Sequence, residues 1–160
     1  MLDTTRNDAS GDQLSAARVG AAGYIKTAVA RRGGYVIAGN FLYWFDGHLY
    51  RNLMRVDASF RPDPSWMPII DDAVAVLATD RAGRLLVASN STSGTQARIQ
   101  RFNSDGALDT TWQPKVKSDV YKLLAASDGM LFVGGAFSEI NNVKTGSLVR
   151  FRADDTLDTE

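Results

Sequence analysis

Cysteine is absent from this 160-residue chain, and histidine occurs once, at His48. Without thiols there is no disulfide framework, no thiolate nucleophile and no cysteine-based zinc site. One histidine without cysteine also leaves a zinc centre or a histidine-based triad short of partners. A charge excess is missing too, since 18 Lys and Arg balance 18 Asp and Glu. That balance gives no electrostatic footprint for nucleic acid or an anionic membrane. The short basic clusters at 30–32 and 115–117 read as solvated surface. No apolar run approaches the ~20 residues of a membrane helix. The start, MLDTTRNDASGDQ, is polar and acidic, without the apolar core of a secretory signal. The phosphate-cradling glycine motifs and the calcium-loop pattern are absent as well, so no metal or other cofactor is expected. The expectation is a soluble chain of one ordinary domain, without nucleic acid or membrane insertion.

Repetition carries the organisation. RFNSDGALDTTWQP (101–114) overlays RVDASFRPDPSWMP (55–68), with Arg101, Asp109, Trp112 and Pro114 on Arg55, Asp63, Trp66 and Pro68. It also overlays RFRADDTLDTE (150–160), where Arg150, Leu157 and Asp158 fall on Arg101, Leu108 and Asp109. Asp109 lies 46 residues after Asp63, and Asp158 lies 49 after Asp109. The other half of each unit agrees. Segments 24–41, 72–90 and 119–137 each hold two short apolar runs around a glycine turn, which reads as a hairpin. A third strand is expected over RNLMRVD, ARIQRFN and GSLVRFR, and a short fourth after the Asp-Thr-Thr-Trp turn. Four short antiparallel strands in roughly 47 residues predict a β-propeller blade. The expected architecture is therefore all-β, with three blade-like repeats at about 24–71, 72–118 and 119–160. An N-terminal arm over 1–23 precedes them, and the propeller is partial or completed by association.

LFVGGAFSEINNVKTGSLVRFRADDTLDTE (131–160) resembles the delta-sixty-type propeller repeat of bacteria and phages. Gly134, Gly135, Phe137, Arg150, Leu157 and Asp158 carry the likeness in the third repeat. Gly39, Phe41, Asp46, Gly47, Arg55 and Asp63 carry it in the first. The second departs from it at ASNSTSGTQ (88–96), where the Gly-Gly-x-Phe signature is lost. The resemblance implies a propeller scaffold, and it does not imply one activity.

Asp63, Asp109 and Asp158 could be acids or metal ligands by residue type. Each holds the same place in its repeat, and a catalytic acid is needed once per molecule. The structural reading is a carboxylate that accepts neighbouring backbone N–H groups and fixes a turn. Trp66 and Trp112 follow that turn and read as seals between neighbouring blades, with sugar stacking as the functional alternative. Phe41 and Trp44, overlaid on Phe137 and Ile140, are expected in the core. Period-two alternation then points Tyr43 and Phe45 to solvent, near His48 and Tyr50, as a candidate contact surface. The competing reading is local packing against the N-terminal segment.

Leu2, Asp3, Thr4 and Thr5 duplicate the repeat's closing turn. Asp3 precedes Asp63 by 60 residues, longer than either internal period. The expectation is that this piece completes a blade, its own or a neighbour's. Three blades cannot circle an axis alone, so partners are expected to be other protein subunits, through self-association or a larger complex. The functional expectation is a non-catalytic structural or interaction module within an assembly. If the chain is phage-encoded, the resemblance implies a virion component such as a tail, fibre or decoration protein; if it is not, a cytoplasmic location is expected from the absence of a signal peptide or transmembrane segment. The alternative is a small lectin that stacks exposed aromatics on a glycan.

Overall fold

The computed structural model describes residues 23–90 and 97–159. The spare turn at Leu2–Thr5 and the signature-poor hairpin of the second repeat (91–96) lie outside the described residues. Thirteen strands and no helix are found among those described. The first blade holds β1 (Tyr24–Arg31), β2 (Gly34–Phe45) and β3 (His48–Asp57). The second holds β4 (Val74–Thr79), β5 (Leu85–Asn90), β6 (Ala97–Phe102) and β7 (Lys115–Val116). The third holds β8 (Val120–Ala125), β9 (Leu131–Gly135), β10 (Glu139–Ile140), β11 (Val143–Lys144), β12 (Leu148–Phe151) and β13 (Leu157–Asp158). All pairings are antiparallel, in sheets ordered β1-β2-β3, β11-β10-β7-β6-β5-β4 and β13-β12-β9-β8.

The first hairpin of each blade turns on a glycine with positive φ: Gly33, Gly83 and Gly129. Alternation along the strands then gives every sheet two apolar faces. One faces the preceding blade and is called leading here; the other, trailing, faces the next. Val36, Ala38 and Leu53 of the first blade pack with Leu77, Leu85, Val87 and Phe102 of the second. Leu86, Ala88 and Ile99 of the second pack with Leu123, Leu131, Val133 and Phe151 of the third. The core is thus two slabs lying between sheets, as in stacked propeller blades.

Among the described residues the expected fourth strand forms once. In the second blade β7 pairs with β6, Val116 opposite Ala97. β7 also pairs with β10, so the third repeat's hairpin extends the second blade's sheet across the repeat boundary. In the first blade Ile70 holds the place of Val116, yet no fourth strand is found there among the described residues. The side chain of Asn52 substitutes for it. Asn52 is buried and its φ is +60°. Its Nδ2 donates toward the carbonyls of Ile70, Asp71 and Asp72, each at 3.2 Å, and its Oδ1 accepts from the Phe41 N–H at 3.1 Å. One amide therefore satisfies backbone groups that a ladder would otherwise pair.

Candidate interaction surface

The repeated Arg-Asp-Trp set makes a latch at each blade boundary. Asp63 Oδ1 accepts from the Ser65 N–H at 2.9 Å and the Ser65 hydroxyl at 2.6 Å, and its Oδ2 accepts from Arg55. Asp109 repeats this with Thr111 and Arg101. The Thr111 hydroxyl leads in holding the Asp109 carboxyl down at about 2, with Arg101 assisting against burial. The Ser65 hydroxyl leads in the same downward shift at Asp63. Asp158 pairs with Arg150 and Arg152. Asp63 and Asp109 are therefore held ionised by turn donors and guanidinium groups, which is the chemistry of a turn clamp.

Each latch then reaches across to the next blade. The Arg55 guanidinium lies 5.5 Å over the Trp66 ring, and its Nη1 donates to the Ser104 carbonyl at 3.4 Å. The Arg101 guanidinium lies 4.9 Å over Trp112 and donates to both Asp155 oxygens. Trp66 and Trp112 are buried at these boundaries, and Trp112 meets Phe151 edge-on with centroids 5.5 Å apart. Gly106, at φ +90°, sits against Trp66 so closely that a Cβ there would lie 2.9 Å from the indole. Glycine serves both the turn and the contact.

Phe41 is buried as expected, but from Tyr43 onward the hairpin faces the opposite way from the sequence expectation. Tyr43 and Tyr50 are buried and Phe45 packs against them in a cluster with Ile37, Phe41, Met54 and Val56. Tyr43 stacks on Phe45 at 6.1 Å and lies 6.4 Å from Tyr50, and burial pushes both phenol pKa values up. Trp44, expected in the core, is 67% exposed. The cause is one added residue. The turn Asp46-Gly47 corresponds to Asn141-Asn142, so Phe45, not Trp44, matches Ile140. A register irregularity between Ala38 and Leu42 absorbs the extra residue, and a one-residue shift exchanges the faces of everything after it. His48 is half-buried at the start of β3, with Nδ1 2.8 Å from the Asp46 carbonyl.

What the hairpin presents outward is aliphatic and indole surface. Trp44 pairs across the strands with Leu49, and Leu42 with Arg51. Leu42, Trp44, Leu49, Met67 and Ile69 are all exposed, Ile69 to 83%. Leu49, Met67 and Ile69 line a shallow groove of about 330 Å³ together with Arg51 and Asp71. Exposed apolar residues grouped in this way, rimmed by charge, have the composition of a protein contact. Met67 and Ile69 escaped sequence reasoning because they follow the Trp66 turn, where a regular fourth strand was expected.

A family model described as "Domain of unknown function (DUF5122) beta-propeller" matches residues 83–111 and 126–160. The two stretches cover the β5–β6 hairpin with its closing turn and most of the third blade. The repeats are therefore of β-propeller type, in agreement with the stacked sheets. No curated protein and no solved structure matches the chain.

Proposed function

We propose that this chain is a non-catalytic protein-interaction module that works within a larger assembly. A β-propeller repeat of unknown function supports the coarse reading. The observation that carries it is the outward patch of Trp44, Leu49, Met67 and Ile69 beside Arg51. A desolvated indole ringed by aliphatic groups is the usual energetic centre of a protein contact. In its concrete form the assembly is a virion, with the chain as a tail, fibre or decoration component, which rests on the repeat's resemblance alone.

The test is reconstitution with the native assembly in two variants. Trp44→Ala removes the indole without touching the core, and Ile69→Asp places a charge in the patch. Both are expected to leave the thermal midpoint unchanged and to lower retention in the assembly at least tenfold. Full retention of both variants would dismiss the patch as the contact. A lectin reading draws on Trp44 as a stacking ring, because Tyr43, Tyr50, Trp66 and Trp112 are buried. Glycan-array binding lost in Trp44→Ala, with assembly intact, would favour it.

A further inference from the structure

A basic cavity of about 520 Å³ lies at one end of the first blade, between the Arg31–Gly34 turn and the closing turn after β3. Four arginines line it, Arg31, Arg32, Arg55 and Arg61, against two acids, Asp57 and Asp63. The lining therefore carries two uncompensated positive charges, in a chain whose total is zero. Both acids are already engaged. Asp63 holds Arg55 and Ser65, and Asp57 Oδ1 accepts from the Ser59 and Arg61 N–H groups.

Three of these cations lie outside the repeated latch. Arg61 stands where the other closing turns carry Ala107 and Thr156. Arg31 and Arg32 stand in a hairpin turn whose counterparts carry Asp80 and Asp128, with Oδ1 atoms that accept backbone N–H groups. The basic run at 30–32 is also more than solvated surface. Arg31 is half-buried; its Nη2 donates to the Gly83 carbonyl of the second blade, and its Nη1 is buried without an acceptor. Burial and then the Arg55 charge push its pKa down, with Asp80 opposing. Arg32 and Arg61 are exposed and have no ion-pair partner among the described residues. An anion in the cavity relieves this crowding of like charge, and guanidinium forks hold oxyanions by paired hydrogen bonds.

Charge and wall select among anions. A phosphate monoester carries about two negative charges near neutral pH and three acceptor oxygens, which suits a two-charge excess and donor-only arginines. Tyr35 forms one wall, stacked on Phe60 with ring centroids 5.4 Å apart, and both rings are exposed. The cavity is of ligand size, and the ring offers an apolar wall to more than a bare oxyanion. We propose that this cavity binds the phosphate group of a monoester, gripped by Arg32 and Arg61 in the field of Arg31 and Arg55, with the ester's organic part against Tyr35. A small-molecule ester and a phosphorylated protein side chain both offer this chemistry. The cavity lies at the opposite end of β2 from Trp44, so this inference and the contact reading stand or fall separately.

Isothermal titration of the full chain at low salt provides the test. Phenyl phosphate and N-acetyl-O-phosphoserine amide stand for the two sources, inorganic phosphate for the bare anion, and benzoate for a singly charged one. The expected result is saturable one-to-one binding of the esters, at least tenfold tighter than benzoate, tighter than inorganic phosphate, and weakened by salt. Arg32→Gln and Arg61→Gln should each lower the affinity about tenfold, as for one lost charge-assisted hydrogen bond, and leave the thermal midpoint of the unliganded protein unchanged. Arg32→Lys, which keeps the charge without the fork, should lose less, and Trp44→Ala should bind as the native protein does. Tighter binding of phenyl phosphate would assign the site to a small molecule, and tighter binding of the phosphoserine amide to a phosphorylated protein. No saturable binding, or unchanged affinity in the variant carrying both Arg→Gln changes, would overturn the site. Benzoate binding as tightly as the esters would overturn the dianion, and inorganic phosphate binding as tightly would overturn the ester.

Discussion

Arg101 donates from Nη1 to Asp155 Oδ1 at 2.6 Å and from Nη2 to Asp155 Oδ2 at 2.9 Å, across the boundary between the second and third blades. The same guanidinium holds Asp109 within its own blade and covers the Trp112 ring. The Arg101 side chain is 4% exposed, whereas that of Asp155 is 40% exposed. Removing the arginine leaves the half-buried Asp109 carboxylate with only its Thr111 donors, while removing the acid leaves the arginine another partner. Arg101→Ala is therefore expected to cost about 3–5 kcal/mol, as for a broken buried pair. Asp155→Asn keeps the residue's tolerance of φ +70° and is expected to cost about 1 kcal/mol or less. Urea unfolding of the two variants and the double variant measures both costs and their coupling. Equal costs would show that the cross-blade pair carries the interaction and Asp109 does not.

Acid stability should follow Asp109. Its folded pKa lies at about 2, below the ordinary 3.8, held there first by the Thr111 hydroxyl and then by Arg101. The unfolded chain therefore takes up the proton first as pH falls. The stabilisation is fully present above about pH 4 and is lost as pH drops through the folded value. The loss amounts to about 2 kcal/mol. Asp63, shifted in the same direction, adds to the same window. Urea midpoints at pH 7, 4 and 2 should show a steep fall in the native protein and a shallower one in Asp109→Asn. An unchanged slope would mean that other carboxylates control the acid transition.

The latch chemistry was legible in the sequence because one side-chain set recurs at blade spacing. Arg55, Asp63 and Trp66 predict a turn and a seal, and Arg101, Asp109 and Trp112 repeat them. Asp155 as the cross-blade partner was not legible. It lies 54 residues from Arg101 and meets it only through the stacking of two sheets. The facing of Tyr43 and Trp44 was misread for a local reason, since period-two counting carries no record of an added residue. Asn52 gave no periodic signal at all. Its role depends on a positive φ and on a missing strand, neither of which is a pattern in residue types.

Gly106 separates backbone strain from contact. Gly83 and Gly106 both hold positive φ, +76° and +90°. A Cβ at Gly83 meets nothing within 4 Å, whereas one at Gly106 lies 2.9 Å from Cδ1 and Nε1 of Trp66. Gly83→Ala should therefore cost only the conformational part, about 1 kcal/mol. Gly106→Ala adds overpacking against a fully buried indole, a further 1–3 kcal/mol or so. In a Trp66→Leu background the extra cost should disappear and the two glycines should behave alike. Thermal denaturation of the four variants against their parents decides it. Equal costs in the Trp66-containing protein would remove the indole from the explanation.

Asn52 provides the sharpest contrast between substitutions of similar size. Its two amide N–H groups are spread over the Ile70, Asp71 and Asp72 carbonyls, while its oxygen takes the Phe41 N–H. Asn52→Gly loses these bonds but accommodates φ +60°, so it should cost about 2 kcal/mol. Asn52→Ala loses the same bonds and adds strain, for about 3 kcal/mol in all. Asn52→Asp keeps the acceptor for Phe41 but turns a carboxylate toward three carbonyl oxygens at neutral pH. It should be the most destabilising of the three at pH 7. Below the carboxyl pKa the side chain regains one donor, so the Asp variant should lose less relative to the native protein at pH 4 than at pH 7. Urea unfolding at both pH values tests the order and its pH dependence. An Asp variant as stable as the native protein at pH 7 would show that donation to the 70–72 carbonyls does not hold this segment, leaving the Phe41 contact as the role of residue 52.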